Sequence, residues 1–128
     1  MNQGGEPIEN TTTIVWMDDA GYLVIRAKGI PSTAETVQET LASVLAITGG
    51  KKVPLLIDAR NWPSGSPGSL QTMVENMDRL FTAGAMVVDP DNPPALGAFP
   101  EIVDRLVVPF RMVHSVEEGR AFLMDNAD

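Results

Sequence analysis

Three polar residues stand where apolar runs stop: Asp58 closes VPLLID, Asp89 closes AMVVD and His114 closes FRMVH. If these runs are parallel strands, their carboxyl ends form the edge where open sheets gather ligands. Two carboxylates and an imidazole within a few ångströms of one another could hold a divalent metal or act as acid and base. No His-x-His or paired-acid spacing requires them to meet, and Arg60 can simply neutralise Asp58. The other reading is that each aspartate stops its strand by capping the next turn, with His114 a strand-end residue. No catalytic, metal or cofactor motif stands out, so the chain reads as a non-enzymatic protein with no cofactor and no metal.

Asp58 is followed by ARNWPSGSPGSL, a serine-, glycine- and proline-rich connection. Ser66-Pro67 and Ser69 are helix-start chemistry, and an N-cap is the plain reading. The sharper reading is a phosphate or other anionic ligand at that helix start, where exposed N–H groups and the helix dipole favour negative charge. The glycine and lysine pattern of a nucleotide-binding loop is missing, and no G-x-G-x-x-G follows a strand. Trp62 either tucks over the core edge or offers an anchor to a partner. Together Asp58, Arg60, Trp62, Ser64, Ser66, Ser69, Asp89 and His114 are the candidate ligand or partner residues.

These residues need a sheet to position them. Thr11 to Met17 and Tyr22 to Lys28 are β-branched and aromatic runs separated by Asp18-Asp19-Ala20-Gly21, the pattern of an antiparallel hairpin. In the second run Leu23, Ile25 and Ala27 alternate with Arg26 and Lys28, which predicts one buried and one wet face. Ser32 to Glu35 has capping-box spacing, opening a helix whose Val37, Leu41, Val44 and Leu45 share a face and whose stop is Gly49-Gly50. Val53 to Ile57 reads as a central strand covered on both sides. Leu70, Met73, Val74, Met77, Leu80 and Phe81 keep helical spacing, with Gly84 as the stop and Ala85 to Val88 the next strand. Pro100 breaks a helical pattern over residues 95–106, Pro109 to Val113 reads as the last strand, and Ser115 to Glu118 repeats the capping spacing ahead of a final helix.

The order ββαβαβαβα predicts an α/β fold: a mixed, mainly parallel five-stranded sheet with an N-terminal antiparallel hairpin. Residues 1–10 are expected to be a loose tail and 11–128 a single domain. At 128 residues and 44% apolar composition, one core is the natural solution. No run reaches the ~20 apolar residues of a membrane span, and the start lacks a signal-peptide pattern, so a cytoplasmic location is expected. Zero cysteines remove disulfides and thiolate chemistry. A formal charge of −8 repels phosphate-rich partners, so neither nucleic acid nor an anionic membrane is an expected partner.

In that order, Trp16 to Gly21 in the hairpin, Lys52 to Asp58, Pro109-Phe110-Arg111 and Ser115 to Leu123 resemble the STAS-like domains, named for sulfate transporters and anti-sigma-factor antagonists. The similarity is to the small bacterial single-domain members of unassigned function. In the antagonist branch, a strand ending in aspartate precedes a loop and a helix whose first serine is phosphorylated to switch partner binding. Asp58 matches that aspartate, but the branch's Asp-Ser-Ser-Gly motif is replaced by residues 61–69, NWPSGSPGS, so any serine assignment is positional. The resulting expectation is a regulatory or protein-interaction domain whose partner surface is the 59–81 loop and helix. Its partner is expected to be another protein or a second copy, with a homodimer the expected state. The alternative is a small-molecule or anion receptor at the carboxyl ends of the parallel strands.

Overall fold

The alternating and wholly apolar runs assemble into one mixed sheet. The computed structural model describes residues 6–30, 33–60, 72, 75–91 and 104–126. Its strands are β1 (Ile8–Glu9), β2 (Thr13–Met17), β3 (Leu23–Ala27), β4 (Val53–Asp58), β5 (Phe81–Val87) and β6 (Phe110–Val113), paired in sequence order. The β1–β2 and β2–β3 pairs are antiparallel, and the three pairs from β3 to β6 are parallel. Among the described residues the helices are α1 (Ala34–Thr48), α2 (Met77–Leu80) and α3 (Val116–Asp125). Among the described residues no helix is long and apolar enough to cross a membrane.

The sheet therefore has six strands where five were expected. The sixth is β1, which lies in the stretch read as a loose tail. Ile8 and Glu9 add to the free edge of β2, and Lys28 Nζ fastens them through Glu9 Oε2 at 2.7 Å and the Asn10 carbonyl at 3.0 Å. A chain of hydroxyls then ties this segment to α1. Asn10 Nδ2 donates to Thr13 Oγ1, which lies 2.6 Å from Thr40 Oγ1, and Thr40 Oγ1 reaches the Thr36 carbonyl. Thr13 and Thr40 are buried, and with Thr40 donating to the Thr36 carbonyl, the Thr13 hydroxyl donates its own proton to Thr40 Oγ1. Thr40→Val is expected to cost about 1–3 kcal/mol by stranding the Thr13 hydroxyl, and Thr13→Val/Thr40→Val less than the two single losses summed. A double-mutant cycle by urea unfolding checks this.

Helix α1 starts one residue later than its sequence pattern implies. Thr33 is the N-cap, and its hydroxyl accepts from Thr36 N–H while the Thr36 hydroxyl takes the Thr33 N–H. Ser32 lies outside the described residues. Gly49 ends the helix at φ 66°, a left-handed cap that glycine adopts without Cβ strain. Val37, Leu41 and Val44 are buried, but Leu45 is left exposed. At a 100° step Leu45 rotates past the edge of the inward stripe.

The larger changes come at β5. Of the helical pattern over residues 70–81, α2 takes Met77–Leu80, and the strand starts at Phe81 and passes through Gly84 without stopping. Residues 61–71 and 73–74 lie outside the described part, as does most of the helical pattern over 95–106. A register shift explains how Phe81 can begin a strand. Val53 pairs with Phe81 and Pro54 with Ala83, which leaves Thr82 as an extra residue. Pro54 has no N–H for the ladder, and a bulge is where a central strand tolerates it. The bulge also exchanges faces: Phe81 and Met86 join α1 and α2, whereas Ala83, Ala85 and Val87 join α3.

The core thus lies in two layers. On one face Val37, Leu41 and Val44 of α1 and Met77 and Leu80 of α2 pack on Leu23, Ile25, Leu55, Ile57 and Met86. On the other, Leu123 of α3 packs on Val24, Leu56, Ala85 and Val113, with Trp16 and Phe122 at the margin. The two crossover helices α1 and α2 share one face, as the right-handed preference of sequential parallel strands favours, and α3 covers the second. For this reason β3 is not wet on its second face: Tyr22 and Val24 are buried there, and only Arg26 of the strand is exposed.

Candidate functional site

β4 is buried on both faces and places Asp58 at its carboxyl end with only 7% of the side chain exposed. A lone ionised carboxylate is costly there, so the chain must supply cations. It does so twice. Arg60, two residues on, folds back: its Nε donates to Asp58 Oδ1 at 2.9 Å and its Nη2 to Oδ2 at 2.7 Å, while the Arg60 N–H reaches Oδ1 at 3.3 Å. This two-pronged match of planar guanidinium and carboxylate is the strong form of the ion pair. The second cation comes from β3, where the parallel register sets Arg26 opposite Asp58, and Arg26 Nε lies 3.6 Å from Oδ2.

Burial pushes the Asp58 carboxyl up, but the hydrogen bonds from Arg60 and the charges of Arg60 and Arg26 outweigh it and hold the group below its ordinary value. Asp58 is therefore ionised at neutral pH with both oxygens occupied, which makes it a poor proton acceptor and a firm anchor. The arginines are not consumed by it. About half of each side chain remains in solvent, Arg26 at 51% and Arg60 at 47%. Arg26 also lies over the Trp16 ring, 4.8 Å from its centroid, where the ring face attracts the guanidinium. The nearby Glu117 carboxylate acts on Arg60 electrostatically, so four charges balance at this corner.

Asp89 and His114 do not join this group. One Asp89 oxygen accepts the Asp91 N–H at 2.9 Å, the turn-capping role that the sequence left open. His114 is exposed, and its backbone N–H donates to Glu118 Oε1 at 3.0 Å. Asp58 stands opposite Val87 and Val87 opposite Val113, so two strand spacings, about 9.6 Å of backbone, separate the Asp58 and His114 strands. Among the described residues no group of three or more His, Asp or Glu is arranged to hold a metal ion. Trp62, Ser64, Ser66 and Ser69 lie outside the described residues.

The expected cap of the last helix is present in altered form. Ser115 Oγ accepts the Glu118 N–H at 3.0 Å, but the Glu118 carboxylate reaches one residue further back, to His114 rather than Ser115. At the opposite, amino-terminal edge, Asp78 of α2 accepts the N–H groups of Val107 and Val108, anchoring the segment before β6. Beside it is an open depression of about 220 Å³ lined by Glu75, Asp78, Arg105 and Leu106.

Sequence reasoning found Asp58 and Arg60 but not Arg26 and Trp16 as members of one site. The alternation along β3 did put Arg26 on the outward face; what no single strand reveals is the register that sets it beside Asp58. The arrangement defines an α/β protein with a charge-balanced arginine and tryptophan rim at the carboxyl edge of its sheet. Comparison with protein-family models, curated proteins and solved structures returned no match.

Proposed function

We propose that the chain is a regulatory or protein-interaction domain of STAS-like fold, not an enzyme, whose partner surface runs from the Trp16–Arg26 corner into residues 59–81. One observation carries this reading. Arg26 and Arg60 are half exposed, both are fixed on one buried carboxylate, and Arg26 is stacked on Trp16. Arginine and tryptophan are the residues that most often dominate binding energy at protein interfaces, and side chains already held in place lose less entropy on docking. Balance of Arg26 and Arg60 by Asp58 and Glu117 favours a protein partner over a simple anion, which would need surplus positive charge. Trp62 adds a second indole in the sequence just beyond Arg60.

The test is chemical crosslinking in extract of the native cell, with the crosslinked peptides mapped by mass spectrometry. The expected result is a protein partner joined near Trp16, Arg26 and residues 59–81, lost on Trp16→Ala and Trp62→Ala while circular dichroism stays unchanged. Recovery of no partner, or of one indifferent to both substitutions, contradicts the proposal.

A further inference from the structure

An open sheet ends in two edge strands, and an unpaired edge is a template on which another chain can add a strand. At one end β1 is only two residues long, and Pro7 just before it has no N–H to offer. At the other end, among the described residues, stands β6. Its free side is fixed by its bonds to β5: the Gly84 N–H donates to the Pro109 carbonyl and the Val88 N–H to the Val113 carbonyl, each at 2.9 Å. A trans peptide points its N–H away from its C=O, so the Phe110 and His114 N–H groups face outward from the sheet. By the two-residue repeat of a strand, the Met112 N–H faces outward too.

The His114 donor is already taken, because Glu118 Oε1 accepts it at 3.0 Å. To do so the carboxylate stands in the lane beside β6, where the carbonyl of an added strand would lie. A capping box would instead return Glu118 to the Ser115 N–H, so the altered cap of α3 places this side chain at the sheet edge. Ahead of the strand, Pro109 has no donor, and Asp78 accepts the Val107 and Val108 N–H groups. A carboxylate thus stands at either end of β6 and leaves at most the stretch from Phe110 to Met112 between them, short for a stable added strand.

We infer that Glu118 guards this edge: its contact with the His114 N–H is autoinhibitory and keeps an extended chain, a second copy of this protein first among them, from adding a strand to β6. The guard is held in place by α3 itself. Glu118 lies in the first turn, where the helix dipole favours a carboxylate, and its own N–H is fixed by Ser115 Oγ at 3.0 Å. The device is independent of the Trp16–Arg26 corner, which lies on β2 and β3 toward the other end of the sheet. A partner at that corner therefore docks through side chains and not by strand addition at β6.

Sedimentation of the full chain over a range of concentrations, with amide hydrogen exchange of the associated species, tests this. Glu118→Ala is expected to self-associate at about tenfold lower concentration than wild type, with exchange slowed at Met112 and His114. Glu118→Gln, whose amide oxygen can accept the same bond, is expected to behave as wild type. Glu117→Ala removes a carboxylate from the same helical turn and is also expected to leave association unchanged. Glu118→Ala/Met112→Lys, with a charge at the exposed Met112 of the strand, is expected to reverse the association. Circular dichroism verifies that each variant is folded. The inference is overturned if Glu118→Ala associates no more readily than wild type, if Glu117→Ala or Glu118→Gln associates as readily as Glu118→Ala, or if exchange at Met112 and His114 is unchanged or Met112→Lys has no effect. None of these results affects crosslinks mapped to Trp16 and residues 59–81, so the two readings fail separately.

Discussion

Arg60→Ala is expected to lower stability by about 2–3 kcal/mol, more than Asp58→Ala, which is expected to cost about 1 kcal/mol. The asymmetry follows from where each partner is left. Removing the Arg60 side chain deprives a carboxylate that is 7% exposed of its two best hydrogen bonds and leaves it with the residue-60 backbone N–H at 3.3 Å and Arg26 at 3.6 Å. Removing Asp58 leaves two guanidinium groups that are half in water and can rehydrate, so the penalty is discounted. It follows that Asp58→Ala/Arg60→Ala is more stable than Arg60→Ala alone. Urea unfolding of the three variants decides this, and a double variant less stable than Arg60→Ala would refute the asymmetry.

The pH dependence has a definite sign. The folded state holds the Asp58 carboxyl below its unfolded value, so this group adds stability above the unfolded value, and the contribution is lost as pH falls through the folded one. In Arg60→Ala the carboxyl titrates higher and adds less at neutral pH. The stability gap between wild type and Arg60→Ala is therefore expected to narrow on acidification and to be widest above the ordinary carboxylate range.

Gly84→Ala is the second large effect, at about 2 kcal/mol of destabilisation, with Gly84→Val worse. Backbone conformation is not the cause, because Gly84 is not among the glycines at positive φ. A Cβ there would come 2.7 Å from Phe110 Cδ2 and would also strike Met77 Cε. Met77 can bend aside, but the ring is stiff and Phe110 is fixed by pairing opposite Gly84 itself. Gly119→Ala is the comparison. Its Cβ would come 2.6 Å from Leu56 Cδ1, the end of a flexible side chain, and alanine gains roughly 1 kcal/mol in helix propensity. Gly119→Ala is expected to fall within about 1 kcal/mol of wild type, and Gly84→Ala/Phe110→Leu to recover part of the loss.

These positions also show what the sequence makes legible. Uniformly apolar VPLLI announced a strand buried on both sides, and the runs around Gly21 announced the hairpin, because period and turn chemistry are local properties. Gly84 misled because a glycine after a helical pattern is a common stop, while its need here is a close approach set by residues on α2 and β6. Phe81 fits a helical stripe by spacing, yet belongs to a strand through a bulge opposite Pro54, which is a property of pairing. β1 escaped notice because two residues carry no period; only the free edge of β2 and the Lys28 contact give them a place.

The candidate site divides the same way. Asp58 and Arg60 were visible because they are neighbours in the chain. Arg26 was visible as an outward residue but not as a partner, since parallel register is a long-range fact. For Asp89, turn capping was one of the two readings available, and the Asp91 N–H matches it.

The rim depends on Asp58 being a buried, ionised anchor for both arginines. The most direct measurement is an NMR titration of the Asp58 side-chain carboxyl carbon in wild type and in Arg60→Ala. The expected result is a midpoint below the ordinary carboxylate range in wild type and a clear upward move in the variant. A wild-type midpoint at or above the ordinary value, or one unmoved by loss of Arg60, would contradict the account.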